Sequence, residues 1–143
     1  MPAVSASQQA IRNLMFRYGE LQDAGDFDGV AALFSHGVFQ RGDGRSFRGA
    51  ELAEHRRQAN ILHDGLPGTK HVTTNVSIEV DEEHNAASAE SYYAVFQGSS
   101  ELPLEPIVAG RYHDRFERAD GEWRFLFRRS FVDLEGRMET HRR

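Results

Sequence analysis

The sequence contains no cysteine, which excludes disulfides, thiolate zinc sites, iron–sulfur clusters and a cysteine nucleophile at once. No apolar run approaches the ~20 residues that cross a bilayer, and Met1–Ser7 lacks a basic segment followed by an apolar one. A cytoplasmic protein with no membrane partner is expected. Positive charge is scarce: 17 Lys and Arg stand against 22 Asp and Glu, a formal charge of -5. Such a chain offers no global field to phosphate backbones, so nucleic acid is not an expected partner. No glycine-rich loop joins a strand to a helix, no serine sits in a nucleophile elbow, and the seven His include no His-x3-His pair. No cofactor and no metal are expected.

No Pro/Gly/Ser-rich stretch divides the 143 residues, and a single domain over 1–143 is expected. With 39% hydrophobic residues and ten Phe, the chain can build a core or a ligand cavity. Ser5 and Gln8 have capping-box form, and Ile11, Leu14, Met15, Tyr18 and Leu21 or Gln22 follow at helical spacing, predicting a helix over 6–23. Ala24-Gly25 ends it, and Asp26 can cap a shorter helix carrying Phe27, Val30, Ala31, Leu33 and Phe34. A short hairpin around Gly42-Asp43-Gly44 and a third helix from Gly49 to about Leu62 come next.

From Lys70 the period changes from 3.6 to 2 and predicts a strand to Val80, with a second over 86–97. Two more, over 107–118 and 122–133, bracket Asp120-Gly121, the strongest hairpin signal in the chain. Helices precede strands without βαβ alternation, so the class is α+β: a curved antiparallel sheet with three N-terminal helices on one face. Tyr93, Val95, Phe125 and Phe127 predict an apolar outer face for a homodimer or homotrimer. The charged 135–143 tail is expected to be loosely ordered.

Several of these residues form an ordered set: Tyr18-x4-Asp23-x-Gly25-Asp26-Phe27-Asp28, Leu33-Phe34, Lys70-His71-x3-Asn75, and Gly110-Arg111-Tyr112-x-Asp114-x-Phe116 continuing to Trp123-Arg124-Phe125. The set resembles the SnoaL-like members of the NTF2-like superfamily over about 8–132. That resemblance implies a cone-shaped fold around one deep pocket. It is most similar to the cofactor-free dehydratase and lyase branch, which includes scytalone dehydratase, bile acid 7α-dehydratase and hexachlorocyclohexane dehydrochlorinase. The branch implies that His71, paired with Asp23, removes a substrate proton, and that Arg128 holds a functional position. Tyr18 matches the bile acid enzyme where the dehydrochlorinase has Lys, which points away from dehalogenation.

The residue types suit those roles. An imidazole titrates nearest neutrality, and a carboxylate on its second nitrogen fixes the tautomer. Asp23 ends a helix, where the macrodipole disfavours negative charge, so a cationic partner would explain it, whereas Asp26 reads as a cap. Tyr18 lies on the inward stripe and is either a satisfied core phenol or an acid that holds substrate oxygen. Arg128 is either an oxyanion stabiliser or the ion-pair partner of Asp114 or Glu117, and a strand bulge would exchange its facing with that of Arg129. Asn75, Phe39, Tyr92 and Tyr112 are candidate pocket walls or core residues. The expected activity is that of a cofactor-independent lyase, dehydratase-like, or an isomerase on an apolar, cyclic small molecule. A small-molecule-binding module without chemistry, or the small subunit of a ring-hydroxylating dioxygenase, are the alternatives.

Overall fold

The structure is a computed structural model and describes residues 4–143; the first three residues of the Met1–Ser7 reading lie outside them. Helix α1 spans Ala6–Asp23. The Ser5 hydroxyl accepts the Gln8 N–H while the Gln8 side chain accepts the Ser5 N–H, the reciprocal box the sequence predicts. Ile11, Met15, Tyr18 and Gln22 form its buried stripe. Helix α2, Phe27–Ala32, starts at Asp26, whose carboxylate accepts the Gly29 N–H. Strands β1 (Val38–Gln40) and β2 (Ser46–Phe47) form the short hairpin and lead into α3, Ala50–Ala59. Helix α3 stops short of Leu62 because Asn60 turns extended and bridges Arg142.

Four long strands follow: β3 (Thr69–Asp81), β4 (Ala86–Gln97), β5 (Glu105–Ala119) and β6 (Glu122–Glu135). The sheet order is β2-β1-β6-β5-β4-β3, antiparallel throughout except where β1 lies parallel to β6. That parallel seam brings Phe39 level with Arg128, a pairing no local pattern encodes. Asp120 and Gly121 take φ of 53° and 81°, the left-handed pair a two-residue hairpin requires. Among the described residues no helix is long and apolar enough to cross a membrane. The core gathers Ile11, Met15, Phe34, Leu52, Phe116 and Phe125 between the helices and the sheet.

Bulges decide which side chains face that core. In β3 the register slips between Thr74 and Ser77, where Asn75 takes a φ of 52°. His71 and Thr73 are partly buried before the slip, and Val76 and Ile78 after it, so the inward parity changes there. In β6 the register slips opposite Arg115 and Phe116, which puts Phe125 and Arg128 together in the core. This corrects the strict alternation, which set Phe125 outward. Tyr93 and Val95 also face inward, both nearly fully buried, and so are not part of an outer apolar face.

The C-terminus departs from expectation more strongly. Residues 138–143 turn back and are pinned: the Ile61 N–H donates to the His141 carbonyl, the Arg143 N–H to Ala59, and the Thr140 hydroxyl to the Gln97 side chain. A charged tail is ordered here because its backbone finds partners at the end of α3 and its His141 ring is buried.

Candidate functional site

The helices and the curved sheet enclose a cavity of about 350 Å³. His71, near the start of β3, stands against α1 at Gly19, where an added Cβ would come within 3.0 Å of the His71 Cβ. Glycine at that helix position is what lets the imidazole approach. Asp23, the last residue of α1, then meets β3 through three bonds. Its Oδ2 accepts the His71 backbone N–H at 2.8 Å, while Oδ1 accepts the Thr69 hydroxyl at 2.8 Å and lies 2.6 Å from His71 Nδ1. The carboxylate sits 12% exposed and the imidazole 9%, so the pair is largely shielded from water. An ionised carboxylate only accepts, so the proton belongs on Nδ1 and the lone pair on Nε2. Nε2 has no partner among the described residues, and the ring lines the cavity. The unfavourable helix-end position of Asp23 is thus explained by the β3 donors it gathers.

Tyr18 shares the cavity wall, its ring edge-on to His71 with centroids 6.4 Å apart. Its hydroxyl oxygen accepts a bond from Arg56 Nη2 at 2.8 Å. That leaves the phenolic proton available to the cavity. Arg56 also donates to Gln22 Oε1 at 3.0 Å and stacks on Phe39, 4.7 Å from its ring centre. Neither Arg56 nor Gln22 was among the sequence candidates. The signal was present: Leu52, Ala53 and Arg56 occupy one helical stripe, and an arginine on an apolar stripe needs an inward partner.

The remaining candidates divide. Phe39 and Tyr112 line the cavity. Tyr112 is buried, and burial pushes its phenol well above the ordinary range. Asn75 and Tyr92 do not line it. The bulge turns Asn75 outward and Tyr92 is 55% exposed, and both border a separate depression of about 200 Å³ with Glu90 and His113. Arg128 does not line the cavity either: it faces inward on the side of Ser130, as alternation predicts, but is enclosed in the core at 0% exposure. There it forks onto Asp114 with bonds of 2.7 and 2.9 Å and lies 3.7 Å from the Tyr112 ring centre. Burial opposes its charge, but Asp114, together with Tyr112 and Tyr18, raises the guanidinium's pKa. The ion-pair alternative therefore describes Arg128, and it supports the cavity floor from beneath.

Two further imidazoles line the cavity. His55, stacked on Phe47, is depressed to about 4 by burial and by Arg56, Arg41, Arg45 and Arg142. His141 is 5% exposed, and burial, with Arg142 and Arg56 nearby, lowers it to about 4. Among the described residues no three His, Asp or Glu side chains come together as a metal site.

A family model described as a SnoaL-like domain matches residues 3–129. The fold recurs in a protein of unknown function, Rv3472, from Mycobacterium tuberculosis, at 28% identity and a TM-score of 0.73, covering 89% of this chain and 76% of that one. It also recurs in a candidate scytalone dehydratase from Novosphingobium aromaticivorans, at 22% identity and a TM-score of 0.70, over 91% and 86% of the two chains. A third is the beta subunit of a candidate aromatic-ring-hydroxylating dioxygenase from the same organism, at 24% and 0.72, over 94% and 93%. No curated protein matches the sequence significantly.

Proposed function

The chain belongs to the SnoaL-like domain family, on the NTF2-like fold, and from that premise we propose that it is a cofactor-independent lyase of dehydratase type acting on a cyclic small molecule. The observation that carries this is the His71–Asp23 pair, with Nδ1 held by the carboxylate and Nε2 left for the cavity.

The chemistry follows from the donors. Nε2 of His71 takes a proton from the carbon beside a substrate carbonyl, and Asp23 stabilises the imidazolium that forms. Electrons from the broken C–H bond pass to the carbonyl oxygen, where the Tyr18 hydroxyl, polarised by Arg56, donates a hydrogen bond to the enolate. Collapse of the enolate expels a β-hydroxyl, which leaves with the His71 proton as water. Imidazole is neutral again, and the product is the unsaturated carbonyl compound. Protonating the enolate at another carbon instead would give isomerisation from the same groups.

The resemblance of the fold to a candidate scytalone dehydratase supports the elimination reading. The test is a panel of cyclic β-hydroxy ketones followed for the enone absorbance, with His71→Ala and Asp23→Asn as controls. Turnover lost in both variants with structure retained is the expected result. Ligand binding that needs neither residue, with no turnover, would instead favour a binding module. The likeness to a dioxygenase beta subunit gives a further reading, in which the chain serves as a small subunit. It calls for stable copurification with a large iron-containing partner, whereas the lyase reading calls for a self-sufficient homodimer or homotrimer.

A further inference from the structure

The cavity is locally cationic in a protein whose formal charge is -5. Of the carboxylates along its wall, Asp43 pairs with Arg41 at 3.4 Å and Asp133 with Arg111 at 2.9 Å, and Glu135 is exposed near the end of β6. Arg56 spends its bonds on two neutral oxygens, those of Tyr18 and Gln22. Arg142 lines the same cavity and has no side-chain partner among the described residues. His141 stands next to it, buried, with Nδ1 unpartnered.

Arg56 is half-buried and bound only to neutral atoms, and Arg142 is exposed at the cavity wall; neither guanidinium has a carboxylate, so both leave positive charge uncompensated there. We infer that Arg56 and Arg142, with His141 beside them, form a binding site for a carboxylate carried by the substrate. This rests on the lyase reading and names its substrate class: a small cyclic or aromatic carboxylic acid. A planar carboxylate suits the guanidinium fork, which can offer it two parallel N–H donors. The adjoining walls are rings, Tyr18, Phe39, Tyr93 and Tyr112, which suit an apolar body attached to that group. Burial, and after it the charges of Arg56 and Arg41, lower the pKa of Arg142. A bound anion would offset the repulsion among these cations.

The site also gives the C-terminal segment a role. Residues 138–143 lie beyond the 3–129 stretch that matches the family, and they supply both His141 and Arg142 to the wall. A substrate acid would be recognised by a part of the chain outside that matched stretch.

Benzoate, its uncharged analogue benzamide and inorganic phosphate test the inference by NMR titration of the full chain. Benzoate should bind at least about tenfold more tightly than benzamide. Arg142→Gln should weaken benzoate about tenfold and leave benzamide unchanged, and Arg142→Lys should retain most of the affinity. The backbone bonds of Arg142 do not involve its side chain, so the variant keeps the fold. Bound benzoate should also raise the pKa of His141. Equal affinity for benzamide, no effect of Arg142→Gln, phosphate displacing benzoate at equal concentration, or benzoate binding weaker than ~10 mM would each overturn the inference. His71→Ala separates the two proposals. It should abolish turnover and leave benzoate affinity intact, and affinity lost with His71 would place the acid at the dyad instead.

Discussion

Two acid–base pairs tie neighbouring elements together, and they do opposite work. Asp23 and His71 join α1 to β3, and Asp114 and Arg128 join β5 to β6. Both are held by short charge-assisted bonds, 2.6 Å in one and 2.7 and 2.9 Å in the other. The difference lies in what each basic partner has left over. His71 keeps a nitrogen that the cavity reaches, whereas Arg128 is enclosed by Asp114 and the rings of Tyr112, Tyr18 and Phe125, and its remaining Nη1 is buried without a partner. Pairing by itself therefore says little about chemistry. An atom still accessible to substrate turns a paired group into a candidate base, and its absence leaves a scaffold.

The comparison breaks most severely at His71. His71→Ala should lower kcat by about 10²- to 10⁴-fold on a substrate found in the screen. Next in size is Arg128→Met, which leaves a buried carboxylate alone and should cost about 3–5 kcal/mol in urea unfolding without directly touching the cavity chemistry. Pairing it with Asp114→Leu should recover much of that loss. A double variant as unstable as the single one would mean that Arg128 contributes through its ring contacts instead.

A third effect comes from His141. Its folded value of about 4 lies below the ordinary 6.5, so the unfolded chain binds the proton more readily. The stability it contributes is complete above about pH 6.5 and is lost as pH falls from there toward 4, by roughly 3 kcal/mol. His55 acts in the same direction from a more exposed position. Unfolding at pH 7 and pH 4.5 in wild type and His141→Gln checks this, and an unchanged pH dependence in the variant would count against it. The smallest effect is Tyr18→Phe, which removes the hydroxyl between Arg56 and the cavity and should lower kcat about tenfold with little change in stability.

How much of this was legible in the sequence depends on the range of the interaction. The bounds of α1, the Asp26 cap and the Asp120-Gly121 hairpin are local, and each follows from residues within a few positions. Asp23 and His71 lie 48 residues apart, and only the family pattern suggested that they meet. Strict alternation misplaced Asn75 and Phe125, because a bulge changes which face a side chain takes and leaves a faint sequence trace, here an Asn at a positive φ. Arg56, His141 and Arg142 escaped for another reason. They converge from a helix and from a tail that looks disordered by composition until its backbone partners on α3 and β4 are known.

The most direct test of the account is the state of the His71 ring itself, read from its ¹⁵N resonances at neutral pH in wild type and in Asp23→Asn, with His71→Gln to assign them. The expected result is the Nδ1–H tautomer in wild type, with a ring proton protected by Asp23, and loss of that protection in Asp23→Asn. An Nε2–H tautomer in wild type, or identical rings in the two proteins, would mean that Asp23 does not orient the base, and the dyad would be no more available for catalysis than Asp114 and Arg128.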